Sequence, residues 1–134
     1  MKNEIYTQLA EKAVEMKKFS QCAYSNFHVG AALLAKDGTV FTGCNIESSS
    51  YSLTICAERV AIFKAISEGV KEFDAIAISS DYEGFCSPCG SCRQIISDLC
   101  GSIDIILVNN KNETKIYNTA DMLPYAFGDD VLNS

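Results

Sequence analysis

The chain has 134 residues, 48% apolar and 21% charged, which excludes a disordered chain and leaves room for one domain rather than two independent cores. Eleven basic residues against seventeen acidic ones leave a net charge of −6, whereas a polynucleotide-binding surface is normally basic because its affinity comes from neutralising phosphates; nucleic acid is not the expected partner. The longest apolar stretch, residues 29–35, is seven long counting Gly30, against the roughly 18 of a membrane-spanning helix, and the N-terminus lacks the apolar run and cleavage site of a signal peptide, so no membrane partner and a cytoplasmic location are expected.

In chain order, Ile5, Leu9, Ala13 and Met16 recur at helical spacing and predict an amphipathic helix over residues 3–18. Residues 27–35 and 39–45 read as strands, joined through the Asp37-Gly38 pair that favours a tight turn. A polar stretch leads into a helix over 56–68, with Gly69 as its left-handed stop. A buried strand over 73–79, a loop over 81–88 and a helix over 89–99 ending near Gly101 follow. Strands over 103–108 and 114–117 and a last helical turn over 119–123 complete the pattern. Strands alternating with helices predict a single α/β domain over 1–134, a three-layer α/β/α architecture.

The cysteines carry the chemistry. Seven of them, an odd number at a density below the roughly 8–10% of a disulfide scaffold, do not form a disulfide framework in a reducing compartment. Cys89 and Cys92 stand three apart, on one helical face, so two thiolates can chelate one ion. Cys56, at the mouth of the other predicted helix, can supply a third ligand. Partial positive charge at helix N-termini favours the ionised thiols. Three protein ligands on a tetrahedral zinc leave a position for water, the pattern of a catalytic site, and zinc can lower the pKa of that water to about 7. Glu58 is placed to move its protons. Cys56 and Glu58, two residues apart, share a site only at a helix entrance, where the sequence puts them. Because three thiolates overcompensate a divalent ion, charge has to be withdrawn from sulfur, and the two helix N-termini with the neighbouring Arg59 are the candidates.

The motif Cys56-Ala57-Glu58 followed by Pro88-Cys89-Gly90-Ser91-Cys92 resembles the zinc-deaminase signature in its all-cysteine version. Phe27-His28-Val29-Gly30-Ala31-Ala32-Leu33-Leu34, Gly43-Cys44-Asn45-Ile46-Glu47 and Leu123-Pro124-Tyr125-Ala126-Phe127 are similar, in the same order, to segments of the small homotetrameric cytidine deaminases. That resemblance covers most of the chain. It implies the cytidine-deaminase-like fold with a mixed five-stranded sheet, one zinc per subunit, and hydrolysis of cytidine and 2′-deoxycytidine to the uridine nucleosides and ammonia in pyrimidine salvage. Water activated by zinc would attack C4 of cytosine while Glu58 passes a proton to the ring nitrogen and then to the departing amine. Asn45 and Glu47 would hold the ribose hydroxyls, Phe27 would pack against the base, and the Ala57 backbone would contact its amide edge. Tyr51 and Phe127 would reach into the site of a neighbouring subunit of the homotetramer. Glu47 makes independent sense as a sugar reader, since a carboxylate accepts strongly from hydroxyls and repels phosphate.

Other readings stand beside these. Ser48-Ser49-Ser50 departs from the family pattern, and Cys86 adds a third member to C-x-x-C-x-x-C, whose spacing does not say which two bind. An iron–sulfur run would want a fourth cysteine at the position of Ile96; a structural zinc on Cys56, Cys86, Cys89 and Cys92 would leave Glu58 without a task. Cys22, Cys44 and Cys100 read as small buried hydrophobes, and His28 as a packed or surface residue rather than a ligand. Phe27 and Phe127 as core aromatics, and Tyr51 as an interface residue that does not touch ligand, are the alternatives to their ligand roles. A deaminase of a nucleoside antibiotic and a polynucleotide editor are rival activities, the second disfavoured by the acidic charge.

Overall fold

In the computed structural model, which describes residues 2–50, 53–86, 88 and 90–122, five strands form one sheet in the order β2-β1-β3-β4-β5. Helix α1 (Lys2–Met16) precedes β1 (Val29–Ala35) and β2 (Val40–Cys44); α2 (Ala57–Ser67) leads to β3 (Phe73–Ser80); α3 (Gly90–Cys100) leads to β4 (Asp104–Val108), β5 (Thr114–Asn118) and the short α4 (Thr119–Met122). The β3–β4 pair is parallel and the other three are antiparallel, so the sheet is mixed.

The central strands are apolar throughout because both faces are covered. Ala31, Leu33, Ile76, Ile78, Ile105 and Leu107 face Ala61 and Ile62 of α2 and Ile96 of α3. Their alternating neighbours Ala32, Leu34, Ala77, Ile106 and Val108 pack with α1 on the opposite side. Helix, sheet and helix form the three layers expected from the sequence.

Two predicted features shift. The buried stripe of α1 is Tyr6, Leu9, Ala10 and Ala13, at regular i, i+3, i+4, i+7 spacing, and Ile5 is 46% exposed. The Tyr6 hydroxyl anchors this register by donating to Asp104 Oδ2 at 2.8 Å. Strand β1 begins at Val29 rather than at residue 27, because the N–H groups of Phe27 and His28 are taken by the Ser25 hydroxyl (3.0 Å) and the Asp81 carboxylate (2.7 Å). Gly38 and Gly69 both adopt positive φ, 95° and 87°, at the turn and the helix stop where they were expected.

Two features of the topology gather the chemistry. Strand β1 runs antiparallel to both β2 and β3, so β2 and β3 finish where β1 begins. Helices α2 and α3, which follow β2 and β3, therefore both start at that end of the sheet. Gly43 lets α2 approach: a Cβ there would meet Ala57 O at 2.4 Å and Ala61 N at 2.8 Å, so only glycine admits the first turn of α2 this close to β2.

Candidate active site

Cys56 is the N-cap of α2, in extended conformation (φ −72°, ψ 152°), and its carbonyl accepts from Val60 N–H at 3.1 Å. Ile55, just before it, makes two backbone hydrogen bonds with Ile46, N–H to carbonyl in each direction at 2.9 and 3.0 Å. This bridge places the helix start beside the Asn45–Glu47 segment, so two motifs read separately along the chain become neighbours. Ala57 is fully buried and Glu58 is 4% exposed in the first turn of α2. Cys92 is fully buried in the first turn of α3. Cys89 lies outside the described residues.

The groups from the two helices meet. Burial raises the Glu58 carboxyl to about 7, and the nearby Cys56 thiol adds to the rise; a hydrogen bond with Cys92 and the Arg59 charge oppose it. Arg59 Nη2 donates to Cys56 Sγ at 3.6 Å and to the Thr54 carbonyl at 3.4 Å. The guanidinium also hydrogen-bonds Cys92, and these sulfur contacts hold it firmly charged. Its Nε is buried with no hydrogen-bond partner among the described residues. A half-buried cation hydrogen-bonded to two cysteine sulfurs is a setting that favours thiolates over thiols. The donor chemistry fits zinc, which takes thiolate sulfur as a borderline-soft ion.

Beside this helix start, through the Ile46–Ile55 bridge, lie the chain before β1 and the chain after β2. Asn45 is 8% exposed; its Oδ1 accepts from Val29 N–H at 3.0 Å and its Nδ2 donates to the Phe27 carbonyl at 2.8 Å. Phe27 is half-buried between them. Glu47 Oε1 accepts from the backbone N–H groups of Tyr24 and Ser25 at 3.1 and 3.0 Å, and Oε2 accepts from the Ser25 hydroxyl. The Ser25 side chain first, then its backbone N–H, holds the Glu47 carboxyl below its ordinary range. Tyr51 and Phe127 lie outside the described residues.

His28 is half-buried, and its Nδ1 sits 2.7 Å from Asp81 Oδ2, which also accepts from its backbone N–H. Burial works against ionisation of Asp81, but the hydrogen bonds from His28 outweigh it and keep the carboxyl low. Cys86 is exposed, yet burial and the Glu58 charge both push its thiol up, so it borders the same site from the loop before α3. Cys22 and Cys44 are buried and Cys100 is partly so. A cavity of about 590 Å³ opens elsewhere, between α1 and the β4–β5 edge; its polar lining includes Asn3, Tyr6 and Glu11, and it holds no thiol or cation. Cys56, Glu58, Arg59 and Cys92 thus lie at the helix starts and not in the lining of that cavity.

Neither Ser25 nor Asp81 is among the residues that the sequence motifs single out. Ser25 sits two residues before Phe27, where the first segment similar to the family begins, and its partner lies 22 residues away. Asp81 had no signal at all, since its link to His28 spans 53 positions.

No helix among the described residues is long and apolar enough to cross a membrane. A family model described as the cytidine and deoxycytidylate deaminase zinc-binding region matches residues 3–108. A cytidine deaminase of Sporosarcina psychrophila is 47% identical over 127 residues, 94% of this chain and 93% of that one. One from Halalkalibacterium halodurans is 42% identical over 126 residues, 93% of this chain and 96% of the other. Among solved structures, cytidine deaminase from Burkholderia pseudomallei superposes with a TM-score of 0.87 at 41% identity, covering 90% of this chain and 97% of that one. With that agreement in sequence and in fold, the chain belongs to the zinc-dependent cytidine and deoxycytidylate deaminase family.

Proposed function

We propose that this protein hydrolyses cytidine and 2′-deoxycytidine to uridine and 2′-deoxyuridine: one water is consumed, the exocyclic C4–N bond breaks, and ammonia leaves. The observation that carries this reading is the placement of Glu58, buried against Cys92 and Cys56 at two helix starts, with its carboxyl near 7. Cys56, Cys89 and Cys92 would hold zinc, and the chemistry zinc supplies when bound is a water acidified to about pKa 7.

Glu58 takes a proton from that water, gives it to the ring nitrogen beside C4, and later delivers a proton to the departing amine. A carboxyl poised near neutrality suits both directions of transfer. Arg59 withdraws charge from the cysteine sulfurs, whose three negative charges would otherwise blunt the centre. Phe27 packs against the base, the Ala57 backbone meets its amide edge, and Asn45 and Glu47 read the sugar. Tyr51 and Phe127 belong to the same proposal as groups given to a neighbouring subunit in a homotetramer, and the chain as a whole is proposed to be one domain.

The test is turnover by zinc-replete protein followed in the ultraviolet. The expected result is loss of the cytosine band with one ammonia per nucleoside consumed. Silence on cytidine and 2′-deoxycytidine by protein that retains zinc would overturn the proposal.

A further inference from the structure

The two residues proposed to read the sugar and the one proposed to pack the base are joined through a single side chain. The Ser25 hydroxyl donates to Glu47 Oε2 and accepts from Phe27 N–H at 3.0 Å. The Phe27 carbonyl is held from the other side by Asn45 Nδ2 at 2.8 Å. Both peptide groups flanking the Phe27 side chain are thus fixed by the sugar-side residues. The backbone supports the same union: Glu47 N–H donates to the Gln21 carbonyl at 2.8 Å and Gln21 N–H to the Asn45 carbonyl at 3.0 Å. Asn26, between Ser25 and Phe27, takes a left-handed φ of 55°, which asparagine tolerates better than most residues and which closes the turn.

An ionised carboxylate offers about four lone-pair positions, two on each oxygen. Two N–H groups occupy Oε1 and the Ser25 hydroxyl occupies one position on Oε2. Among the described residues, the position left for a substrate is the second one on Oε2, the oxygen that Ser25 holds.

We propose that Ser25 is a positioning residue: its hydroxyl aims Glu47 Oε2 at one sugar hydroxyl of the nucleoside and keeps that acceptor in register with Phe27. This deepens the cytidine reading above and rests on it. A half-buried glutamate without such a partner samples several rotamers, and holding it before substrate arrives removes an ordering cost from binding.

The experiment compares cytidine with 2′,3′-dideoxycytidine, which lacks the 2′- and 3′-hydroxyls and keeps the 5′-hydroxyl, in wild type, Ser25→Ala, Ser25→Thr, Glu47→Gln and the Ser25→Ala/Glu47→Gln double variant. In Ser25→Ala the cytidine KM is expected to rise about five- to tenfold, the scale of one ordinary hydrogen bond made in competition with water, with kcat within about twofold. The preference for cytidine over the dideoxynucleoside in kcat/KM falls by a similar factor. Ser25→Thr keeps the hydroxyl and restores the preference, and Ser25→Ala adds nothing in the Glu47→Gln background. An equal loss on both substrates would assign Ser25 a merely structural role and overturn the inference, as would an unchanged preference. If Glu47→Gln also left the preference unchanged, the sugar-reading role of Glu47 would fail first. A lowered preference in Glu47→Gln with none in Ser25→Ala would reject Ser25 alone.

Discussion

Cys86 and Cys92 illustrate how side chains of one type, six residues apart, come to different tasks. Cys92 is sealed inside the first turn of α3 against Glu58 and Arg59. Cys86 is exposed on the preceding loop. A ligand needs a fixed sulfur, and burial in a helix supplies it where an exposed loop does not. Cys86→Ala is therefore expected to keep one zinc per chain and to leave kcat/KM within about twofold, in line with the small effect of most surface substitutions. Metal analysis and turnover on one preparation check this; loss of zinc would move Cys86 into the ligand set. The spacing C-x-x-C-x-x-C could not make this distinction, because burial is decided by where α3 starts.

Cys100, at the other end of α3, gives a stability prediction with a definite sign. Burial pushes its thiol from 9.0 up to about 12. A group raised on folding contributes stability that is complete below its unfolded pKa and is lost as pH climbs toward the folded one. The window is thus pH 9 to 12, and by pH 10.5 this thiol removes no more than about 2 kcal/mol. Urea unfolding of wild type and Cys100→Ala under reducing conditions should show the variant losing less stability between pH 8 and pH 10.5. Parallel losses in the two proteins would contradict the assignment.

At the scale of elements, the decisive contact is α2 against β2. Gly43→Ala would drive a Cβ into the Ala57 carbonyl and Ala61 N–H, at 2.4 and 2.8 Å, displacing the turn that carries Cys56 and Glu58. Overpacking of this kind costs about 1–3 kcal/mol, and here it should lower kcat as well. Gly38→Ala serves as the contrast. Its φ of 95° strains any side chain by about 1–2 kcal/mol, but nothing lies within 4 Å and the turn is remote from the site. Thermal melts and turnover separate the two: both variants lose stability, and only Gly43→Ala loses kcat. Equal activity in both would mean that α2 tolerates the displacement.

The elements themselves were largely legible in the sequence, because apolar periodicity, the Asp37-Gly38 turn and the Gly69 stop are local signals. What was not legible is long-range. The stripe of α1 settled on Tyr6 instead of Ile5 because Asp104, 98 residues away, takes the Tyr6 hydroxyl. Strand β1 started two residues late because Ser25 and Asp81 claimed the N–H groups at its mouth. The cysteine and glutamate positions were readable from spacing, but the contact of Glu58 with Cys92 depends on two helices starting at one end of the sheet, which only the strand order reveals.

For the whole molecule, the sheet order brings the starts of α2, α3 and β1 to a single end, so a site of several segments needs no second domain. Ligands in open α/β sheets commonly bind outside the carboxyl ends of strands, and β2 and β3 both finish here. Exposed apolar side chains gather near this end, with Tyr24, Ile46 and Leu53 exposed by 68%, 43% and 65%. Such exposure suits burial against other subunits. Sedimentation equilibrium at micromolar concentration is expected to give the mass of four chains; the mass of one would remove the homotetramer from the proposal.

The most direct test of the central claim, that Glu58 carries protons at a thiolate-held zinc, is turnover of cytidine by wild type and Glu58→Ala with zinc measured in the same samples. One zinc per chain is expected in both proteins, with a loss of turnover in the variant of at least about 10²–10⁴-fold, the range of general acid–base catalysis. Turnover that survives in zinc-loaded Glu58→Ala would contradict that claim.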